Sequence, residues 1–309
     1  MVDVVSLGEM LIDMVSTQRN VTLYDAPCFE PKPGGAPANL AVGVQRLGKQ
    51  AAFIGKLGRD EFGQGLRRLL EQEGVDTRNV LDDPERPTTL AFVSLSDKGD
   101  PHFAIFAAAS ANLAPADLNV DLIRSAKIFH FSSVSLSAEP SRTATLEAIR
   151  IAKASGVRVS YDVNWRPMLW PDVQQARQII MEPLPQIDIL KMNGGELRLI
   201  TGIDDVEEAL PKLDVPASVV FVTLSEKGCI YRFKGQIYRQ SVTPVEVVDA
   251  TGAGDAFMAV LLADLPSPLE ESALARLARR ACEAGKIATT RRGAIPALPY
   301  ASDLAAFPV

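Results

Sequence analysis

Short apolar, β-branched runs alternate with longer segments of helical period along most of this 309-residue chain, and that alternation limits the fold more than any other feature. The runs lie at 2–7, 51–54, 128–131, 158–161, 187–190 and 219–223. Between them, 62–73, 142–155 and 173–182 carry apolar residues at helix spacing. In the first of these, Leu66, Leu69 and Leu70 share a face while Arg67, Arg68 and Glu71 point to water. Strand, helix and strand repeated over this length predict an α/β chain: a mainly parallel sheet covered by helices on both faces.

Two stretches break the alternation. Residues 13–33 and 88–107 hold strand-like pieces without a helix between them. The pieces at 90–95 and 102–106 flank a loop of turn formers, residues 96–101, and read as a hairpin. These stretches can pair into a small sheet lying over the main body as a lid, so the chain is expected to be one domain, 1–309, with an appended β-sheet. A second hairpin, 229–233 and 236–240 around Lys234-Gly235, belongs to the main sheet.

Composition narrows the partners. Hydrophobic residues make up 47% and mean hydropathy is +0.08, which suits a folded globular chain. No apolar stretch approaches the roughly 20 residues of a membrane span, and the longest, 256–263, reads as a buried helix. A net charge of −6 without a basic run argues against nucleic acid, so any anionic substrate must be held by local amides, metal ions and a few chosen cations. Cys28, Cys229 and Cys282 form neither a disulfide framework nor a zinc pattern, and the amino terminus lacks the basic start of a signal peptide. The expectation is a soluble cytoplasmic protein.

Two glycine-rich turns carry the chemistry. In the first, Val247-Val248-Asp249-Ala250-Thr251-Gly252-Ala253-Gly254-Asp255-Ala256-Phe257, a β-branched run passes through small residues into the apolar helix. Free amides at such a helix start attract an anion, and glycine lets a phosphate approach the backbone. Asp255 beside that cradle would repel the phosphate, so its task there is to accept a proton from an attacking hydroxyl; the alternative is a plain helix cap. In the second turn, Pro33-Gly34-Gly35-Ala36-Pro37-Ala38-Asn39, a glycine pair again precedes a helix, but the projecting group is a neutral amide. Gly34 and Gly35 would admit a polyol against the backbone, and Asn39 and Asp13 would bond its hydroxyls. There is no G-x-x-x-x-G-K-[ST] loop, since Gly55-Lys56 is followed by Leu57, and no G-x-G-x-x-G or G-x-S-x-G. Of the two histidines, His102 and His130, the latter reads as a packed strand residue.

With both turns in place, the chain resembles the ribokinase-like, or PfkB, carbohydrate kinases, and within them is most similar to the bacterial fructokinases. The resemblance runs over essentially the whole chain and implies a Rossmann-like α/β/α sandwich with a small β lid. It implies ATP and Mg2+, with Asp255 as catalytic base and the amides of Gly252, Ala253 and Gly254 as anion hole. It implies sugar contacts from Asp13, Gly34, Gly35, Asn39 and Arg166. Arg166 lies in Asp162-Val163-Asn164-Trp165-Arg166, a subfamily marker shared with the 2-keto-3-deoxygluconate kinases; a salt bridge from Arg166 to Asp162 is its structural alternative. Nucleotide contacts are implied at Asn193, Thr223, Ser225, Gly228 and Gly254, magnesium at Glu196 through water, and a potassium site at Asp249, Thr251 and Gly293. The run from Ile54 to Gly63 is similar to the family's glycine-spaced segment.

Three departures stand out: Ser225 replaces a usual glycine, Ala250 a frequent Thr, and Phe106-Ala107 a lid pair in which relatives often carry Arg. Loss of that Arg favours a neutral ketose such as D-fructose over a sugar acid. The rivals are a 2-keto-3-deoxygluconate kinase, a sugar-binding regulator without turnover, and a dinucleotide oxidoreductase, the last disfavoured by its missing fingerprint. The family's clasping lids imply a homodimer through the lid.

Overall fold

The structure is a computed structural model and describes residues 2–96 and 101–308, so the turn expected at 97–100 lies outside the described residues. The strands are β1 (Val2–Leu7), β2 (Leu11–Ser16), β3 (Phe29–Gly34), β4 (Ala51–Gly58), β5 (Asp76–Asp83), β6 (Leu90–Leu95), β7 (Pro101–Phe106), β8 (Ala126–Ser132), β9 (Arg158–Asp162), β10 (Ile189–Asn193), β11 (Val219–Thr223), β12 (Cys229–Phe233) and β13 (Gln236–Gln240). Among the described residues, nine of them form one sheet in the order β13-β12-β11-β10-β9-β8-β1-β4-β5. Pairing is parallel from β5 through β11 and antiparallel only at the β11-β12-β13 edge.

Side chains alternate across the sheet, as period-2 geometry requires. Val4 and Phe53 belong to one buried cluster; Val5, Ala52 and Ile54 belong to the other. The first cluster takes in the helices Ala36–Arg46, Ala253–Ala263 and Glu271–Ala288, the second Ser141–Ala154 and Gly194–Thr201. Two apolar faces, each covered by helices, give the three layers expected.

The helices read from the sequence are found at Glu61–Gln72, Ser141–Ala154 and Val173–Met181. Glu61–Gln72 starts where Asp60 accepts from the Gly63 amide at 2.8 Å, and it buries Leu66 and Leu70. Three elements differ from expectation. β5 has a polar sequence, Asp76-Thr77-Arg78-Asn79 at its start, because it is an edge strand. The expected 187–190 strand is displaced to Ile189–Asn193, which carries Lys191 into the sheet. The helix Glu271–Ala288 was not anticipated, although Leu274, Leu277, Ala278 and Ala281 are spaced as one buried face.

The helix-free stretches form a second, four-stranded sheet ordered β3-β2-β6-β7. β2 pairs antiparallel with β3 and parallel with β6, joining the two stretches, and β6-β7 is the expected hairpin. Asp60 ties this sheet to the main body: its carboxylate accepts from the Thr88 amide and hydroxyl, both at 2.7 Å, just before β6.

Candidate active site

Strand β1 ends at Leu7, and the chain turns over the carboxyl edge of the sheet into β2, where open parallel sheets place their ligands. A cleft of about 670 Å³ runs along that edge, under the four-stranded sheet. Asp13, Gly35, Asn39 and Arg166 line one end, and Asn193, Thr223, Ser225 and Gly228 line the other. Thr251, Gly252, Ala253, Gly254 and Asp255 lie in the same wall. The two turns, more than two hundred residues apart in sequence, therefore meet in space.

They meet through a hydrogen bond: Asn39 Nδ2 donates to Asp255 Oδ2 at 2.7 Å. Each residue sits in the first turn of its helix, Ala36–Arg46 for Asn39 and Ala253–Ala263 for Asp255. Gly252 adopts φ 83°, and a β-carbon there would stand 2.9 Å from Ala294 Cα, so only glycine can occupy this position. Because the Asp255 helix begins at Ala253, the amides of Gly254 and Asp255 have no carbonyl one turn earlier. Burial raises the Asp255 carboxyl above its usual range. The Asn39 bond, Lys191 and Arg166 pull it down, and Asp162 pushes it further up.

The sugar-side glycines are required by the protein itself. A β-carbon on Gly34 would stand 2.1 Å from Asp13 Oδ2, and one on Gly35 would stand 2.4 Å from the Glu9 carbonyl. Gly34 is not in the wall of the cleft; Gly35 is. Asp13 is pushed up to about 7, chiefly by burial, against the opposing charge of Arg166. Glu9, absent from the sequence reading, also lines the cleft and is 6% exposed. Its Oε1 accepts from the Ala36 amide at 3.1 Å, and burial raises its carboxyl to about 7. Ala107 lines the cleft where relatives often carry Arg, while Phe106 points away, 62% exposed.

On the nucleotide side, Asn193 and Glu196 form a reciprocal capping box. Glu196 N donates to Asn193 Oδ1 at 2.9 Å, and Asn193 N to Glu196 Oε2 at 2.7 Å. Glu196 Oε1 takes the Trp165 amide at 2.8 Å, which fastens the Asp162–Arg166 marker to this helix. Ser225 takes φ 51°, a left-handed conformation that glycine adopts more readily. Val242, Val245 and Val247 supply apolar wall beyond it. Asp249 and Gly293 sit behind the anion turn: Asp249 Oδ1 accepts from Thr251 N at 2.9 Å and Oδ2 from Gly293 N at 2.8 Å.

Asp162, the alternative partner for Arg166, is bonded by Lys191 instead, at 2.9 and 3.1 Å. Lys191 lines the cleft and was missed because a lysine inside an apolar run looks like the end of a strand. His130 is the packed residue expected, its Nδ1 3.1 Å from Ser160 Oγ and its pKa held down to about 3 by burial. Among the described residues no group of three or more His, Cys, Asp and Glu could hold a metal.

Asp255 thus lies between an end lined by Asp13, Gly35 and Asn39 and a helix start with free amides, an arrangement that suits a small-molecule phosphotransferase. The chain belongs to the pfkB family of carbohydrate kinases, whose model matches residues 1–301. It is 45% identical to a probable fructokinase-4 of Arabidopsis thaliana over 97% of this chain and 95% of that one. Fructokinase-1 of Zea mays is also 45% identical, over 97% and 96%. A fructokinase double mutant of Vibrio cholerae O395, solved with fructose, ADP and potassium ion, superposes with a TM-score of 0.88 at 31% identity, covering 99% of this chain and 98% of that one. An uncharacterized sugar kinase of Pyrococcus horikoshii in complex with ATP gives 0.87 at 33% identity, over 97% and 96%.

Proposed function

We propose that this protein transfers the γ-phosphoryl group of ATP to a hydroxyl of D-fructose. The observation that carries the choice of sugar is the lining of the cleft's sugar end, where Glu9, Asp13 and Asp255 present carboxyls and Ala107 stands where an acid-binding Arg would be. A sugar acid would meet those carboxyls with Arg166 as the cation on that side; a neutral ketose meets them as hydrogen-bond partners. The relatives named as fructokinases support the same choice.

In the reaction the sugar hydroxyl, held by Asp13 and Asn39, gives its proton to Asp255 while its oxygen bonds to the γ-phosphorus. The bond from that phosphorus to the β,γ-bridging oxygen breaks, and ADP leaves with the electron pair. The amides of Gly254 and Asp255 take the developing charge; that of Ala253, expected in the anion hole, donates to the Ala250 carbonyl at 3.3 Å. Thr223, Ser225 and Gly228 border the nucleotide. Asn193 and Glu196 would hold, through water, a magnesium ion that neutralises phosphate charge, and Asp249, Thr251 and Gly293 would hold a potassium ion. Turnover that ignores potassium would remove that ion. The comparison that tests the sugar is kcat/KM for D-fructose against 2-keto-3-deoxygluconate with saturating Mg·ATP. A value for the acid equal to that for fructose would overturn the assignment.

Among the described residues, no helix is long and apolar enough to cross a membrane. The partner we propose is a second copy of this chain, docked through the four-stranded sheet. Phe29, Phe92 and Phe106 form an edge-to-face row on it, with centroids 5.1 and 5.9 Å apart. Along β7, Phe106 alternates with Ile105, which lines the cleft, so the row lies on the opposite face. Light scattering that found only the 33.3 kDa monomer would refute this.

A further inference from the structure

Lys191 is a buried ammonium in the wall of the cleft that none of the roles above uses. It is the cross-strand neighbour of Asp162: Asp162 ends β9, and Lys191 is the middle residue of the adjacent parallel strand β10. Asp162 is 3% exposed and Lys191 6%, and Nζ lies 2.9 and 3.1 Å from the two carboxylate oxygens. A β-carbon on Gly254 would stand 3.0 Å from the Lys191 Nζ, so the ammonium presses against the anion turn one residue before Asp255. An ammonium has three donors, and the two oxygens of Asp162 use at most two of them in line. The flanking strand residues, Leu190 and Met192, are apolar and fully buried. A purely structural pair here could be replaced by apolar residues at little cost.

We propose that Lys191 is a catalytic residue of the transfer step, its ammonium bonding an oxygen of the phosphoryl group as that group crosses the anion turn from nucleotide to sugar. Asp162 is the positioning residue that holds the ammonium at the turn. Lys191 keeps its proton throughout: the hydroxyl proton goes to Asp255, and the ammonium offsets the charge on the equatorial oxygens. Burial alone would lower the Lys191 pKa, but Asp162, Glu196 and Asp255 together raise it, so the group stays charged. This inference rests on the kinase reading but not on the identity of the sugar.

The test compares the parent with Lys191→Met and with a Lys191→Met/Asp162→Asn double variant, which leaves no unpaired buried carboxylate. A bonded transition-state donor of this kind is worth roughly 10²–10³ in kcat, and both variants should lose that much. Binding of a non-hydrolysable ATP analogue should weaken about tenfold, while ADP and sugar binding stay within twofold, because only the γ-phosphoryl group reaches Nζ. Lys191→Arg should recover part of the lost rate. In the double variant the acid limb of the pH–kcat profile should stay near the parent's, because Lys191 lowers the Asp255 carboxyl, Asp162 raises it, and both are removed together; a lysine that only tuned Asp255 would then leave the plateau kcat unchanged. A folded double variant with kcat within threefold of the parent would overturn the proposal. Equal weakening of ADP and the ATP analogue would do the same. The nucleotide comparison needs no sugar, so this inference and the fructose assignment fail separately.

Discussion

The Asn39 helix and the Asp255 helix both begin after a glycine in positive φ, at 107° and 83°, and neither has a side-chain cap. Both are apolar, both point their first turn into the same cleft, and the two are joined by the Asn39–Asp255 bond. By local sequence either could bind an anion. What separates them is tertiary. The Asn39 helix already has a carboxyl at its start, since Glu9 Oε1, in the β1–β2 connection, accepts from the Ala36 amide. The Asp255 helix has no such internal carboxylate at its first amides. Instead it has Lys191 beside Gly254. In the proposed reaction the first end, its amide already occupied, reads hydroxyls, and the second, backed by a cation, takes the phosphate. An anion site is thus decided less by the glycine turn than by whether the fold supplies its own carboxylate first.

The largest test of that contrast is Asp255→Asn. Asn can still accept from Asn39, so the helices should remain joined and both substrates should bind. Asn cannot take the hydroxyl proton, and general-base catalysis contributes on the order of 10²–10⁴ in rate. The expected result is kcat for fructose lower by that factor with calorimetric affinities near parental. If Asp255 only capped its helix, kcat would stay within a few-fold, because Asn caps as well as Asp.

The contrast also explains how far the sequence could be read. The three-layer sheet was legible because buried parallel strands are short apolar runs and their covering helices carry one apolar face. That Asp13, Gly35, Asn39, Asp255 and the loop at 223–228 would share one cleft was legible because they sit in or beside glycine turns, where a backbone constraint shows in the sequence. Glu9 and Lys191 were not. Each acts on an element distant in sequence: Glu9 on Ala36, and Lys191 on Asp162 and Gly254. A charged residue inside an apolar run was the signal available in both neighbourhoods, in Leu7-Gly8-Glu9-Met10 and Ile189-Leu190-Lys191-Met192. Gly34 was read for a reason the structure replaces, since its missing side chain makes room for Asp13 rather than for a ligand.

A smaller perturbation acts on the contact between the helices. A β-carbon on Gly43 would stand 2.7 Å from the Ala259 β-carbon, so these helices cross at a point where one extra methyl does not fit. Overpacking of this kind typically costs about 1–3 kcal/mol. Gly43→Ala should lower stability by that amount in chemical denaturation. It should also push the first turns apart, weakening the Asn39–Asp255 bond and lowering kcat with ATP affinity unchanged. A variant as stable as the parent would mean that the two helices tolerate separation and that their junction is not fixed by packing.

The smallest effect tests whether Glu9 is the built-in anion of the Asn39 helix. Burial raises its carboxyl from 4.5 to about 7 despite the bond from Ala36. The native state therefore keeps a proton that the unfolded chain has already released between these values. The sign follows from proton linkage: this group's contribution to stability is full below pH 4.5 and is lost as pH rises through 7. Between pH 6 and 8 the loss is about 1 kcal/mol, since one pH unit of differential protonation is worth about 1.4 kcal/mol. Glu9→Gln keeps an oxygen for the Ala36 amide but removes the titration. Its stability should therefore fall less than the parent's over that interval, by about 1 kcal/mol in urea midpoints converted with a common slope. Parallel slopes for parent and variant would show that Glu9 is ionised throughout, held by the helix start as an ordinary anion. The first turn of the Asn39 helix would then be as strong an anion site as that of the Asp255 helix, already filled rather than weak.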